Sequence, residues 1–223
     1  KALCDIAQLE TQTVNWDGEG NVHVPVNSVV RKWIEYYWPI VSSPYFIPQT
    51  RGEHENYKKP IAFRKSLEIL AEKYNKLGGL KQFVFDRNKD MIHPDAVQTV
   101  KIARQKIRSA IINGPVFYAG GGKNENKPFY YNKYDKCIVF DSAIWRELVL
   151  LGHWISDSIN MRWVNLTQEL SNRKLEFKEI LPLFMVKTEE DRNVRAARAL
   201  YSEKSYIECV WSGKSLSKNF DVD

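Results

Sequence analysis

From Pro60 onward the apolar positions Phe63, Leu67, Leu70, Tyr74 and Leu77 recur at three- and four-residue spacing, with Arg64, Lys65, Glu68 and Glu72 between them. That period predicts an amphipathic helix, and Gly78-Gly79 supplies its stop. A second helix is predicted from Pro94, with Val97, Val100, Ile107 and Ile111 inward and Lys101, Arg104, Lys106 and Arg108 polar, ending at Asn113-Gly114-Pro115. Earlier in the chain Val22, Val24 and Val26 alternate like a short edge strand after the turn Asp17-Gly18-Glu19-Gly20. Ser28 then caps a helix carrying Val29, Val30, Trp33, Ile34 and Tyr37, stopped by Pro39, and residues 42–60 read as a loop.

Between Val116 and Phe140 the period changes to that of strands. Val116-Phe117-Tyr118 and Phe129-Tyr130-Tyr131 flank a Gly-rich loop, and Cys137-Ile138-Val139-Phe140 follows the turn at residues 132–136. Asp141 or Ser142 caps a helix with Ile144, Trp145, Leu148 and Leu151 apolar, and beyond Gly152 a longer one runs through Trp154, Ile155, Ile159, Trp163, Leu166 and Leu170. The tryptophans at 145, 154 and 163 are close to helical spacing and are expected in the core. Thr188-Glu189-Glu190-Asp191 is a capping box ahead of Val194, Ala197, Leu200 and Tyr201, which leaves Arg192, Arg195 and Arg198 outward. The fold class expected is α+β, mainly α-helical with small antiparallel hairpins. Three regions are expected: a mixed, basic, helical part over 1–113, a hairpin and helices over 114–204, and a distinct end over 205–223.

With 223 residues, 43% of them hydrophobic and 13% aromatic, the chain has material for a buried core and is not disordered in composition. It has no uncharged apolar run long enough to span a membrane. Three cysteines, Cys4, Cys137 and Cys209, fit no disulfide framework, so a reducing, cytoplasmic setting is expected. The net charge of +6 is uneven: residues 28–113 hold sixteen Lys and Arg against eight acids, whereas residues 1–27 hold one against four. The two basic helices carry most of this excess and are candidates for phosphate contact, because neutralising phosphates releases counterions.

Several chemistries are excluded by spacing. Gly120-Gly121-Gly122-Lys123 lacks the following Ser or Thr and the helix that a phosphate-binding loop requires. His23, His54, His93 and His153 form no HExxH or HxxxH pair, so each is expected to be a surface or satisfied core residue. Cys209 has Ser212, not a second Cys, three positions on, so no two-Cys zinc half-site exists there.

The C-terminal stretch is more informative. Tyr206 to Trp211 is strand-like, Ser212-Gly213-Lys214 makes a turn, and Asn219 to Asp223 begins a second strand. Cys209-Val210-Trp211-Ser212-Gly213-Lys214-Ser215-Leu216, followed by Phe220-Asp221-Val222-Asp223, resembles the opening of the HNH endonuclease motif, a ββα-metal unit. More loosely, residues 114–201 resemble the region that precedes this motif in some bacterial HNH proteins. The resemblance implies metal-dependent hydrolysis of DNA phosphodiester bonds, with Asp223 as a ligand of Mg2+ or another divalent cation and a general-base His directly after it. The chain stops before that His and before the α element, so it is expected to be a piece of a longer, DNA-cutting protein, and the piece itself is expected neither to cut DNA nor to hold a metal tightly. Backbone contact is expected from Lys101, Arg104, Lys106 and Arg108, with Arg192, Arg195 and Arg198 near the nuclease motif. The alternative is a non-catalytic nucleic-acid-binding or protein-interaction module, and a weaker third option is a small-molecule enzyme with its site in the helical body.

Overall fold

The computed structural model describes residues 1–56, 58–119 and 128–185, together with Glu208 and Ser215. Residues Lys1–Val186 form one compact unit and Lys187–Asp223 a second. The first is α+β and mainly helical, around one small antiparallel sheet. Helix α1 (Ala2–Leu9) leads to strand β1 (Asn15–Trp16), β2 (Val22–Pro25) and helix α2 (Val26–Val41). Helices α3 (Arg64–Asn75), α4 (Gly79–Asn88) and α5 (Pro94–Ile111) follow. A π-helical turn (Ile112–Val116) and the short helical turn α6 (Phe117–Ala119) precede strands β3 (Phe129–Asn132) and β4 (Cys137–Phe140). Helices α7 (Ser142–Leu170) and α8 (Phe177–Phe184) complete the unit.

The sheet order is β1-β2-β4-β3, antiparallel throughout, with Val24 opposite Ile138 and Tyr131 opposite Ile138 from the other side. The valine-alternating strand is therefore interior, not an edge, because β4 returns across its free side from more than a hundred residues away. One face of this sheet buries Val22, Val24, Ile138 and Phe140 against Val26, Val30 and Ile34 of α2 and Ile107 and Ile111 of α5. A second cluster joins Ile40 and Ile47 to Val164, Leu175, Ile180 and Phe184, and so ties the 42–60 loop to α7 and α8.

Several helix boundaries differ from the sequence expectation, each for a local reason. α2 begins at Val26, two residues before Ser28, which is buried within it. Pro39 lies inside α2: in the last turn its missing N–H costs one hydrogen bond, and the helix closes with the Ser42 N–H donating to the Trp38 carbonyl at 3.0 Å. Phe117 and Tyr118 are helical rather than extended, since the chain leaves α5 through the π-turn that holds Pro115. Val97 points outward at 53% exposure, and Ala96 and Ala103 take the core positions on α5 instead.

Gly152 does not divide two helices; α7 is continuous over 29 residues. A Cβ at Gly152 would stand 2.9 Å from Gln8 Cδ and 3.2 Å from Cys4 Cβ, so the glycine lets α1 lie directly against α7. The face of α7 so buried is made of Trp145, Gly152, Ser156, Asn160, Val164 and Thr167, while Leu151, Trp154 and Leu166 are exposed. Helices α1, α4 and α8 were not foreseen. In α4 only Phe83 is buried, stacked on Trp38 at 5.0 Å and edge-on to Tyr74 at 5.3 Å. Among the described residues no helix is long and apolar enough to cross a membrane.

Candidate nucleic-acid interface

Helix α5 starts on Pro94, whose missing N–H is one the first turn leaves unused, and buries Ala96, Val100, Ala103, Ile107 and Ile111 at helical spacing. Asp95 is its single acidic residue. At about 100° per residue, Lys101, Arg104 and Arg108 fall on one stripe that leads to Ile112, whereas Lys106 stands on the opposite flank. Lys101, Arg104 and Lys106 are exposed and Arg108 is half-buried. None of the four pairs with a carboxylate among the described residues. Arg108 instead donates to the side-chain carbonyl of Asn27, a neutral partner that leaves its charge uncompensated.

Among the described residues, four cations elsewhere in 28–113 are held by carboxylates. Arg31 and Lys32 bond Glu10 at 2.8 and 2.7 Å, and Arg87 bonds Glu35 at 2.8 Å. Arg64, expected on the polar face of the first basic helix, is 2% exposed and bonds Glu53 at 2.6 Å, with a second donor on the Ile47 carbonyl at 2.6 Å. The Glu53 carboxylate also accepts the Gln49 and Ile61 N–H groups at 2.6 and 3.0 Å, so the pair pins the 42–60 loop onto α3 and is not available to a ligand. Lys65 and Lys73 of α3 are also exposed and without a carboxylate among the described residues, but it is on α5 that three cations without a carboxylate, Lys101, Arg104 and Arg108, share one stripe.

At the C-terminal end of that stripe lies a groove of ≈ 580 Å³, lined by Ile112, Asn113, Val116, Phe117, Phe129, Tyr130 and Tyr131. A second depression of ≈ 510 Å³ between α2, α3 and α4 carries Glu68 and Glu72 and no cation.

Two titratable clusters went unrecognised in the sequence. His23, on the outward face of β2, has Nδ1 2.7 Å from Asp135 Oδ2 and Nε2 3.1 Å from Asp17 Oδ2. The Asp17 hydrogen bond above all, with that of Asp135, raises its pKa against the burial that lowers it. Hydrogen bonds from Asn21, then from His23 and the Glu19 N–H, hold Asp17 well below the usual carboxylate range. With both ring nitrogens occupied, His23 clamps the β1–β2 turn to the β3–β4 turn and has no free nitrogen for proton transfer. Asp17 stands close enough in sequence to suggest a turn, but Asp135 is 112 residues away and left no signal. The second cluster is a seam: Asp5 accepts from the Tyr36 hydroxyl and, at 3.3 Å, from Ser156 Oγ, while Lys1 Nζ donates to Asn160 Oδ1 at 3.1 Å. Burial, reinforced by Asp5, pushes the Tyr36 phenol far above its ordinary value. Its partners are all internal to the seam between α1, α2 and α7, which is the pattern of a satisfied buried network.

Among the described residues no group of three His, Cys, Asp or Glu could hold a metal ion. Arg192, Arg195, Arg198 and Asp223 lie outside the described residues. In the second unit Glu208 and Ser215 form an antiparallel bridge that brackets Ser212-Gly213-Lys214. Cys4 and Cys137 are free and buried.

No curated protein matches this chain, and no solved structure matches it either. One family model matches residues 1–184, close to the span of the first compact unit and short of the stretch from Cys209 to Asp223. That match covers most of the chain, which therefore belongs to the family described as a domain of unknown function, DUF8808.

Proposed function

We propose that this chain is the nucleic-acid-engaging part of a metal-dependent endonuclease of the HNH type, hydrolysing DNA phosphodiester bonds. The observation that carries the reading is the antiparallel bridge between Glu208 and Ser215, which stand on either side of Ser212-Gly213-Lys214 in the sequence, the tripeptide that resembles the first turn of the ββα-metal motif. The uncompensated cations of α5 supply what such an enzyme needs besides its motif, a surface that holds the phosphate backbone without reading bases. Lys101, Arg104 and Arg108 would follow one backbone, and Arg192, Arg195 and Arg198 would add contacts nearer the motif.

Phosphodiester hydrolysis needs an activated water and charge stabilisation at the phosphate and the leaving oxygen. Asp223 offers a hard carboxylate donor suited to Mg2+ or Mn2+, and a cation bound there would polarise the phosphate. The buried free thiols of Cys4 and Cys137 fit action in a reducing, cytoplasmic compartment.

The test is plasmid nicking by the protein made from the complete reading frame, with Mg2+ or Mn2+ present. Cleavage lost on chelation and on Asp223→Ala supports the reading; undiminished cleavage by a folded Asp223→Ala protein refutes it. The second reading, a non-catalytic nucleic-acid-binding module, is favoured by the position of the α5 stripe inside residues 1–184, ahead of the motif. Duplex binding without cleavage under every metal tried would select it.

A further inference from the structure

We infer that the groove at the end of α5 receives an unpaired nucleobase, so that the preferred nucleic acid contains a single-stranded segment. This rests on the nucleic-acid reading above and narrows its substrate class. Three features converge there. Four aromatic residues line the groove, Phe117 from α6 and Phe129, Tyr130 and Tyr131 from β3; Phe129 and Tyr131 also pack on the core, whereas Phe117, edge-on to Tyr118 at 5.1 Å, is 42% exposed although it is apolar. Its volume of ≈ 580 Å³ falls in the range of about 300–1,000 Å³ usual for small-ligand clefts. Asn113 supplies the polar group: its amide nitrogen donates to Ser109 Oγ at 3.1 Å, and its carbonyl oxygen faces no described donor.

The charge pattern selects the occupant. An apolar protein side chain would fill the rings equally well, but it gains nothing from a line of cations. Lys101, Arg104 and Arg108 span about 10 Å of helix and end one turn before Ile112, which lines the groove. A strand whose phosphates follow that stripe is delivered to the rings with a base at its leading end. In a blunt duplex each base is paired and stacked, and an aromatic platform has no exposed π-face to take. In a single strand every base presents one, and stacking on an aromatic side chain is tolerant of sequence.

Fluorescence anisotropy with the complete protein tests this, using a labelled DNA 20-mer as a single strand, as a blunt duplex, and as a duplex with a single-stranded overhang. Phe117→Ala is expected to weaken single-strand and overhang binding by about five- to a hundredfold and to leave blunt-duplex binding within about twofold. Phe117→Leu is expected to behave like Phe117→Ala, because apolar volume without a π-face does not stack, whereas Phe117→Trp restores binding. Lys101→Ala with Arg104→Ala should weaken all three probes. If Phe117→Leu binds the single strand as well as the wild type does, the groove is merely apolar and the inference fails. If the Phe117 variants change nothing while the cation variant weakens every probe, this inference fails and the nucleic-acid reading stands. If the wild type binds none of the probes, both fail together. Circular dichroism of each variant confirms that the fold is kept, which the exposure of Phe117 favours.

Discussion

Replacing Lys101 and Arg104 by Ala removes two exposed cations that hold no carboxylate, so their loss breaks no ion pair in the described structure. Neither residue is in the α5 core, and alanine has the highest helix propensity, so the fold should be retained. The effect on nucleic-acid binding follows from counterion release. Each phosphate contact contributes roughly 0.9 to the slope of log affinity against log salt on duplex DNA. Two lost contacts therefore lower the slope magnitude by about 1.8, and the affinity gap to wild type narrows by roughly tenfold between 50 and 200 mM salt. The assay is anisotropy with one blunt duplex across a salt series. Lys106 supplies the internal control: about 140° around the helix from Lys101, it is out of reach of a backbone lying along Lys101, Arg104 and Arg108. Lys106→Ala should leave the slope unchanged to within about 0.3, below the contribution of one contact. A double variant with wild-type slope, or a Lys106 variant as impaired as the double one, would refute the assignment of this stripe to the backbone.

Two further outcomes concern the scaffold. Glu53→Gln removes the buried charge facing Arg64 and should destabilise by about 3–5 kcal/mol, roughly 6–20 °C in Tm by thermal circular dichroism; a loss below about 1 kcal/mol would mean the pair does not anchor the 42–60 loop. For the His23 clamp the sign follows from a pKa raised above the ordinary value of 6.5: its contribution is full below that pH and is lost as pH rises through the raised value. The Tm difference between wild type and His23→Gln should accordingly shrink from pH 5.5 toward pH 9 (values chosen to bracket the histidine range of about 6.5), and an equal difference at both ends would show that the imidazolium charge contributes nothing.

What could be read in the chain ahead of the structure depended on sequence distance. Helices α3 and α5 were legible because their buried positions repeat locally, as Leu67, Leu70 and Tyr74 do in one and Val100, Ile107 and Ile111 in the other. The β3–β4 hairpin was legible for the same reason, with both strands and their turn inside twelve residues. Position within the sheet was not, since nothing near Val22 announces that β4 will pair with it. Gly152 was misjudged because a glycine that ends a helix and one that admits a neighbouring helix look alike in sequence; only the arrival of Cys4 and Gln8 separates them. Helix α1 escaped notice because its burial rests on small residues, Ala2, Cys4 and Ala7, around a single Ile6.

The same rule divides the candidate site. Charge excess in residues 28–113 pointed to two helices, yet sequence could not tell a cation that folds the protein from one that is free to bind. Arg64 and Arg104 are alike as letters, each on the polar side of a basic helix. Arg64 meets Glu53 from a loop eleven residues earlier and disappears into the interior, whereas among the described residues no acidic side chain pairs with Arg104. Compensation separates cations that fold the protein from cations that face solvent: the carboxylates Glu10, Glu35 and Glu53 hold Arg31, Lys32, Arg87 and Arg64, whereas Lys101, Arg104 and Arg108 meet no carboxylate among the described residues and line up on one face of α5. The aromatic groove lies where that stripe ends because α5 does not stop at Ile111 but loosens into a π-turn, which turns Phe117 away from the core and toward Tyr131. Had Val116-Phe117-Tyr118 been a strand, as its composition suggested, the rings would alternate across a sheet and the groove would not exist.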